Sequence, residues 1–525
     1  MHRRTLLAAT AALAAPRIAR AQGARTLRFI PQADLSTLDP HWNTAYVTRN
    51  HGFMVFDTLY GLDGKLQASP QMVGGHVVGD DGKRWTLTLR DGLRWHDGSP
   101  VLARDCVASI RRWGAKDTFG QALLAATDEL SAPDDRTILF RLKRPFPLLP
   151  DALGKSGVYM PAMMPERLAR TEPATQVTEM VGSGPYRFLV AERVPGARAV
   201  YERNTAYVPR ASGTPDFTAG PKVAHLDRVE WLTTPDPAAA AAALQNGEVD
   251  WWDFASADLL PLLRRHNRLE VKVLDPLGSI GFMRLNHLQP PFDNPAIRRA
   301  LLGAVNQADF MTAVMGTDRA MWRDGCGVFT PGTPLASDEG MAPLLGPRDD
   351  ARVRAELAAA GYKGDKVALI VPTDFPNLKA MADVGADMMQ KAGLVVDYQA
   401  LDWGTVLTRR ASKAPVDQGG WSAFFTFGAG ADQSSPAAHL ALRANGANAW
   451  FGWPDDAEIE TLRDAWFAAP DQDAQKPIAR ALQRRALQTV PFIPLGQYFQ
   501  ATAYRTSLKG VLNGFATFWN VTKEG

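Results

Sequence analysis

The stretch from Val367 to Tyr398 constrains the fold of this chain more than any other. Val367 to Val371 is a short apolar run, Leu378 to Ala392 carries apolar residues at helical spacing with Gly393 as its stop, and Leu394 to Tyr398 is a second mostly apolar run. Strand, helix and strand in that order make a βαβ unit, and the crossover forces its two strands to run parallel. Pro237 to Gln245, followed by Gly247 and the run Val249 to Phe254, predicts a second passage from helix to strand. Asp293-Asn294-Pro295 supplies a cap and a first-turn proline for a helix with Ile297, Leu301 and Val305 on one face. Arg352 to Ala360, closed by Gly361, is a further short helix, and Ile459, Leu462 and Trp466 stripe a later one, with Ile478 and Leu482 beginning another.

The first third reads differently. Trp85, Leu87 and Leu89 alternate with Thr86, Thr88 and Arg90, which predicts a strand with one buried face between Asp-Gly turns. Ile138, Phe140 and Leu142 repeat the alternation after Pro133, Asp134 and Asp135, so an antiparallel sheet is expected there. No repeat at a fixed period occurs, which argues against solenoids and propellers. The expected class is therefore α/β with an antiparallel part early. At 525 residues the chain is longer than one hydrophobic core organises, so two or three lobes are expected.

The N-terminus reads as an export signal. Arg3 and Arg4 precede the apolar run Thr5 to Ala15, and Ala19-Arg20-Ala21 is a small-x-small triplet, so cleavage is predicted before Gln22. The run is too short to span a bilayer, which takes about 20 residues. The paired arginines point to the twin-arginine route, with the general secretory route as the alternative. Four arginines and no acid leave with residues 1–21, which takes the formal charge from +3 to −1. A nearly neutral mature chain gives no reason to expect nucleic acid as a partner. Only Cys106 and Cys326 are present, far apart and without CxxC spacing, so no cysteine zinc site is supported.

The segment DGKRWTLTLRDGLRWHDGSPVLARD (81–105) resembles the early part of the extracytoplasmic solute-binding proteins that include the dipeptide- and oligopeptide-binding proteins of ABC importers. GSGPY (182–186), LQNGEVD (244–250), PPFDNPAIRRAL (290–301) and AAAGY (358–362) follow in the family's order. Taken alone, most of these motifs are scaffold: Asp97-Gly98 is a turn, and Asp293 to Pro295 starts a helix. The resemblance implies a type II periplasmic-binding-protein architecture, in which two lobes close on a solute and the large members carry an extra subdomain. It divides the chain into a signal peptide (1–21), a first lobe (22–60, 183–278 and 490–525) with an extra subdomain (61–182), and a second lobe (279–489). It also implies a monomer that serves an inner-membrane ABC permease, with a small solute or peptide as ligand and with no cofactor or metal. Cys106 and Cys326 fall in different divisions, so they are expected to be unpaired.

Enzyme readings find little footing. Gly154-Lys155-Ser156 lacks the glycine that a phosphate loop needs five positions before Gly154, where Leu149 stands. No G-x-S-x-G elbow and no HExxH occurs, and His96 beside Asp97 reads as a turn residue. A secreted hydrolase whose catalytic residues are too dispersed to form a motif is the alternative.

For the ligand site, late aromatics suit a cleft that holds apolar or cationic groups: Trp403, Trp421 and Phe427 are the candidates. In the resembling peptide binders an aspartate of the corresponding loop pairs with the peptide's α-ammonium group. Here Ala429 stands near the position of that anchor, and Asp432, three residues later, is the candidate to hold a cationic group. Its alternative role is to cap a helix beginning near Ser435.

Overall fold

The computed structural model describes residues 25–524, so the export signal expected at residues 1–21 lies outside the described residues. Two large sheets organise the molecule. The first has seven strands, in the order Leu269–Val273, Ala501–Arg505, Trp251–Trp252, Thr26–Ile30, Arg228–Leu232, Arg198–Arg203 and Tyr186–Phe188. Its centre is parallel, because Thr26–Ile30 pairs in parallel with both Arg228–Leu232 and Trp251–Trp252. Phe29 anchors the core there. Its ring meets those of Trp231, Trp251 and Phe518 at centroid distances of 5.5, 5.6 and 5.1 Å, a packing that combines large apolar burial with edge-to-face geometry.

The second sheet has six strands, in the order Trp322–Arg323, Phe492–Tyr498, Ser279–Leu285, Ala423–Ala429, Lys366–Pro372 and Val395–Leu401. The βαβ unit read from the sequence is present: Lys366–Pro372 and Val395–Leu401 run parallel, joined by the helix Pro376–Lys391. The antiparallel sheet of the first third is also present, as Val73–Gly79, Arg84–Leu89, Thr137–Leu142 and Thr127–Ser131. Trp85, Leu87, Leu89, Ile138, Phe140 and Leu142 are all buried, as the alternation requires. His96 hydrogen-bonds the carbonyl of Gly184 at 3.1 Å and the amide of Gly182 at 3.3 Å, so it fastens GSGPY to the strand motif.

Three expectations are corrected. Residues 490–525 do not all belong with the first sheet, because Phe492–Tyr498 pairs with Ser279–Leu285 in the second; the chain changes sheets after Tyr498. The apolar run 249–254 yields only the short strand Trp251–Trp252, since Asp250 and Asp253 interrupt it. The helix capped by Asn294 ends at Leu302, so Val305 is buried beyond it.

The chain passes between the sheets twice, and the two passages touch. One leads from Val273 to Ser279, the other from Tyr498 to Ala501. Gly278 sits at φ 59°, and a Cβ there would fall 2.4 Å from the Tyr498 carbonyl oxygen, so only glycine fits this approach. Gln497 adds a hydrogen bond to the Leu277 carbonyl at 2.8 Å. Cys106 and Cys326 are buried separately and unpaired.

Candidate functional site

A stacked pair of rings divides the space between the lobes into two chambers. Tyr46 opens the buried helix Tyr46–Val55 of the first lobe, and Phe427 lies on the strand Ala423–Ala429 of the second. Their rings are 5.3 Å apart and 13° from parallel. The Tyr46 hydroxyl donates to Asp432 Oδ2 at 3.0 Å and accepts from the Ala429 amide, so one phenol ties the lobes together. Burial and the neighbouring Asp432 push its pKa well up, and it donates as the neutral phenol. Gln32, Tyr46, Phe427 and Asp432 line both chambers.

The first chamber encloses about 760 Å³ out to its mouth and is acidic. Asp253, Asp275 and Asp432 line it, against a single cation, Arg49. The Arg49 guanidinium lies over the rings of Phe515 and Tyr46, at 3.8 and 4.7 Å from their centroids, and donates twice to Asn50 Oδ1. It makes no ion pair within 4.0 Å among the described residues. Burial raises the Asp253 carboxyl to about 7 and Asp275 to about 6, with Arg49 only partly opposing it. Asp253 Oδ2 is enclosed and has no hydrogen-bond partner.

The second chamber, about 590 Å³ with the open space at its mouth included, is aromatic, lined by Phe282, Phe375, Trp403 and Trp450. Its cation is Arg410, which follows the helix Trp403–Arg409 and is buried. The guanidinium lies 5.0 to 5.7 Å from the ring centroids of Phe451, Trp450 and Trp403, and Nη2 donates to Thr44 Oγ1 of the first lobe at 2.8 Å. Desolvation lowers its pKa to about 10, opposed only by Tyr159. Three buried N–H groups lack acceptors here: Arg410 Nε, Trp403 Nε1 and Trp450 Nε1. Buried donors are nearly always satisfied, so an acceptor entering this chamber would find three N–H partners there.

Of the residues picked from the sequence, the structure brings together Asp432, Trp403 and Phe427. Trp421 lies elsewhere: it is fully buried in the second lobe against Phe424 and Trp453, and it lines neither chamber. Asp432 is 8% exposed and starts no helix, because the next α-helix begins at Ala457. Burial raises its pKa, against the opposing charges of Lys155 and Arg49. The Lys155 ammonium itself is held by Asp117 and the Val158 carbonyl. Asp432 packs on Gly157, where a Cβ would fall 1.8 Å from Oδ1. Sequence reasoning missed Tyr46, Arg49, Asp253, Asp275 and Arg410. Two signals existed: Trp403 and Arg410 are two helical turns apart, and Asp253 closes a tryptophan pair that reads as buried strand.

The arrangement can hold a solute by opposite charges at two ends of an aromatic cleft. Among the described residues, no group of three acids, histidines or cysteines could hold a metal ion. The family model described as bacterial extracellular solute-binding proteins, family 5, middle, matches residues 67–449. A probable peptide ABC transporter periplasmic-binding protein of Sinorhizobium fredii is 37% identical over 524 residues, which is 98% of each chain. Among solved structures, the fold is shared with the PBP AgaA of A. tumefaciens R10 in complex with agropinic acid, at TM-score 0.78 and 20% identity over 95% of this chain and 99% of that one. It is also shared with DppA of Helicobacter pylori in complex with the peptide STSA, at TM-score 0.77 and 20% identity over 95% and 98% of the two chains.

Proposed function

The chain belongs to family 5 of the bacterial extracellular solute-binding proteins, and from that premise we propose that it captures a small peptide or peptide-like zwitterion in the periplasm for an inner-membrane ABC permease. The observation that carries the ligand class is Arg410: a buried guanidinium without a carboxylate partner, beside two tryptophan N–H groups without acceptors. An isolated buried charge is costly, and a solute carboxylate offsets that cost by supplying the counter-charge and the missing acceptors together. Asp432, one ring pair away, takes the ammonium end, with Trp403 and Phe427 as walls. The peptide ligands of the S. fredii transporter class and of the H. pylori protein support the same class. The family match lends no support to the secreted-hydrolase alternative.

Calorimetry with a dipeptide library and the C-terminal amides of its binders tests the reading. Amidation removes the carboxylate charge, so binders should weaken at least tenfold, about 1.4 kcal/mol or more. Amides that bind as well as the acids would reject it. The cleft is complete within one chain, which supports a monomer, to be checked by light scattering. Export by the twin-arginine route predicts that the protein stays inside cells lacking that translocase, and sequencing of exported protein should begin at or near Gln22.

A further inference from the structure

The acidic chamber holds more carboxyl groups than one ammonium group can pair with. Asp253, Asp275 and Asp432 face a single lining cation, Arg49, whose guanidinium is already engaged by Asn50 and two rings. Asp432 has its own partner in Tyr46. Asp253 has none for Oδ2, although it is only 7% exposed and lines the cavity. A buried carboxylate oxygen left unpaired is a liability in the empty protein. It is explained if a ligand completes it.

We propose that Asp253, with Asp275 beside it in the same chamber, forms a second cation-binding site that receives the ammonium or guanidinium of a basic side chain. The proposal rests on the zwitterion reading for the far end of the solute, and adds that the favoured solutes are basic. The cation proposed is organic: among the described residues no group of three acids, histidines or cysteines could hold a metal ion. The chamber also offers the faces of Phe254 and Phe427, and a cation gains from such faces when it is desolvated.

Agmatine is the probe, because it carries a guanidinium and an ammonium but no carboxylate, and so reads this chamber whatever Arg410 binds. Calorimetry should show agmatine binding to the full mature protein, at least tenfold weaker binding to Asp253→Asn, and at least threefold weaker binding to Asp275→Asn. Asn keeps the shape of the side chain and removes the charge, so the melting temperature of empty Asp253→Asn should equal or exceed that of the wild type. A residue with a purely structural role would lower it. No measurable binding of agmatine at millimolar concentration would overturn the proposal, and so would Asp253→Asn that binds within twofold of the wild type. If Asp253→Asn does not fold, unchanged binding by Asp275→Asn overturns it instead. Failure of the dipeptide series alone would reject the zwitterion reading and leave the agmatine result standing.

Discussion

The two chambers share a wall and differ in sign. The first chamber sets three carboxyl groups against one arginine, and the second sets one arginine against Asp432 alone, the carboxyl group the two chambers share. The first chamber leaves the Asp253 carboxylate oxygen unsatisfied, and the second leaves three N–H donors unsatisfied together with the Gln433 amide oxygen. Neither could stabilise the fold in this state, since buried unpaired polar groups cost free energy. The difference makes the cleft a dipole, and on the proposed function its selectivity lies in the orientation it imposes on a charged solute.

The comparison breaks most visibly at Arg410. Arg410→Gln removes the only guanidinium of the second chamber, and peptide affinity should fall about 100-fold, roughly 2.7 kcal/mol, by calorimetry. Loss of less than threefold would make the second chamber an apolar pocket and nothing more.

The next effect is one of pH. The folded Asp253 carboxyl, at about 7, lies above its ordinary 3.8. The empty folded protein therefore keeps a proton that the unfolded chain has lost, and Asp253 costs stability as the pH rises from about 4 through 7. Cation affinity moves the other way, since the carboxylate must be ionised to hold a cation. Asp275, at about 6, titrates in the same window, burial also raises the Asp432 carboxyl, and Tyr46, pushed well up, stays neutral. Agmatine should bind about tenfold more weakly at pH 6 than at pH 8, and Asp253→Asn should flatten most of that slope. A flat wild-type profile would remove Asp253 from the site.

Asp432→Asn tests the wall between the chambers. It keeps the shape and removes the charge, so a cationic solute should bind about tenfold more weakly, about 1.4 kcal/mol. Unchanged affinity with unchanged thermal stability would dismiss Asp432. Tyr46→Phe is milder: it leaves Asp432 and the Ala429 amide short of a partner, and affinity should drop about fivefold, about 1 kcal/mol. Because this bond joins the two lobes, small-angle scattering should also show a larger radius for the empty variant. An unchanged radius would mean that the other contacts suffice to hold the lobes together. Alkylation should change least, with no labelling of native Cys106 or Cys326 and two thiols found after unfolding without reductant.

What was legible in the sequence follows from periodicity. Trp85 to Leu89 alternates because only one face of its strand is buried, and Leu378 to Ala392 keeps helical spacing because one face of its helix packs on the second sheet. The central strand Ser279–Leu285 is buried along its whole length, so no alternation marks it, and Arg284 near its end interrupts the apolar run. Arg284 is held by the carbonyls of Ala441, Trp450, Phe451 and Pro491. Phe492–Tyr498 was hidden in the same way, with Pro494 and Gln497 breaking an otherwise apolar run. In the site, Asp432, Trp403 and Phe427 were within reach because they lie near one another in the chain. Tyr46 was not, since its partner Asp432 is 386 residues away. Trp421 was misjudged for a related reason: a tryptophan after two glycines looks exposed, and only the packing of Phe424 and Trp453 shows that it points inward.

The paired passages between the sheets, pressed together at Gly278 and Tyr498, act as two leaves of one hinge. A single strand of chain would let the lobes twist as well as swing. Two strands in contact share one axis, which leaves the molecule a single mechanical coordinate. Anything that docked against both lobes would then read one angle, and on the proposed function that angle would report whether the dipolar cleft is filled.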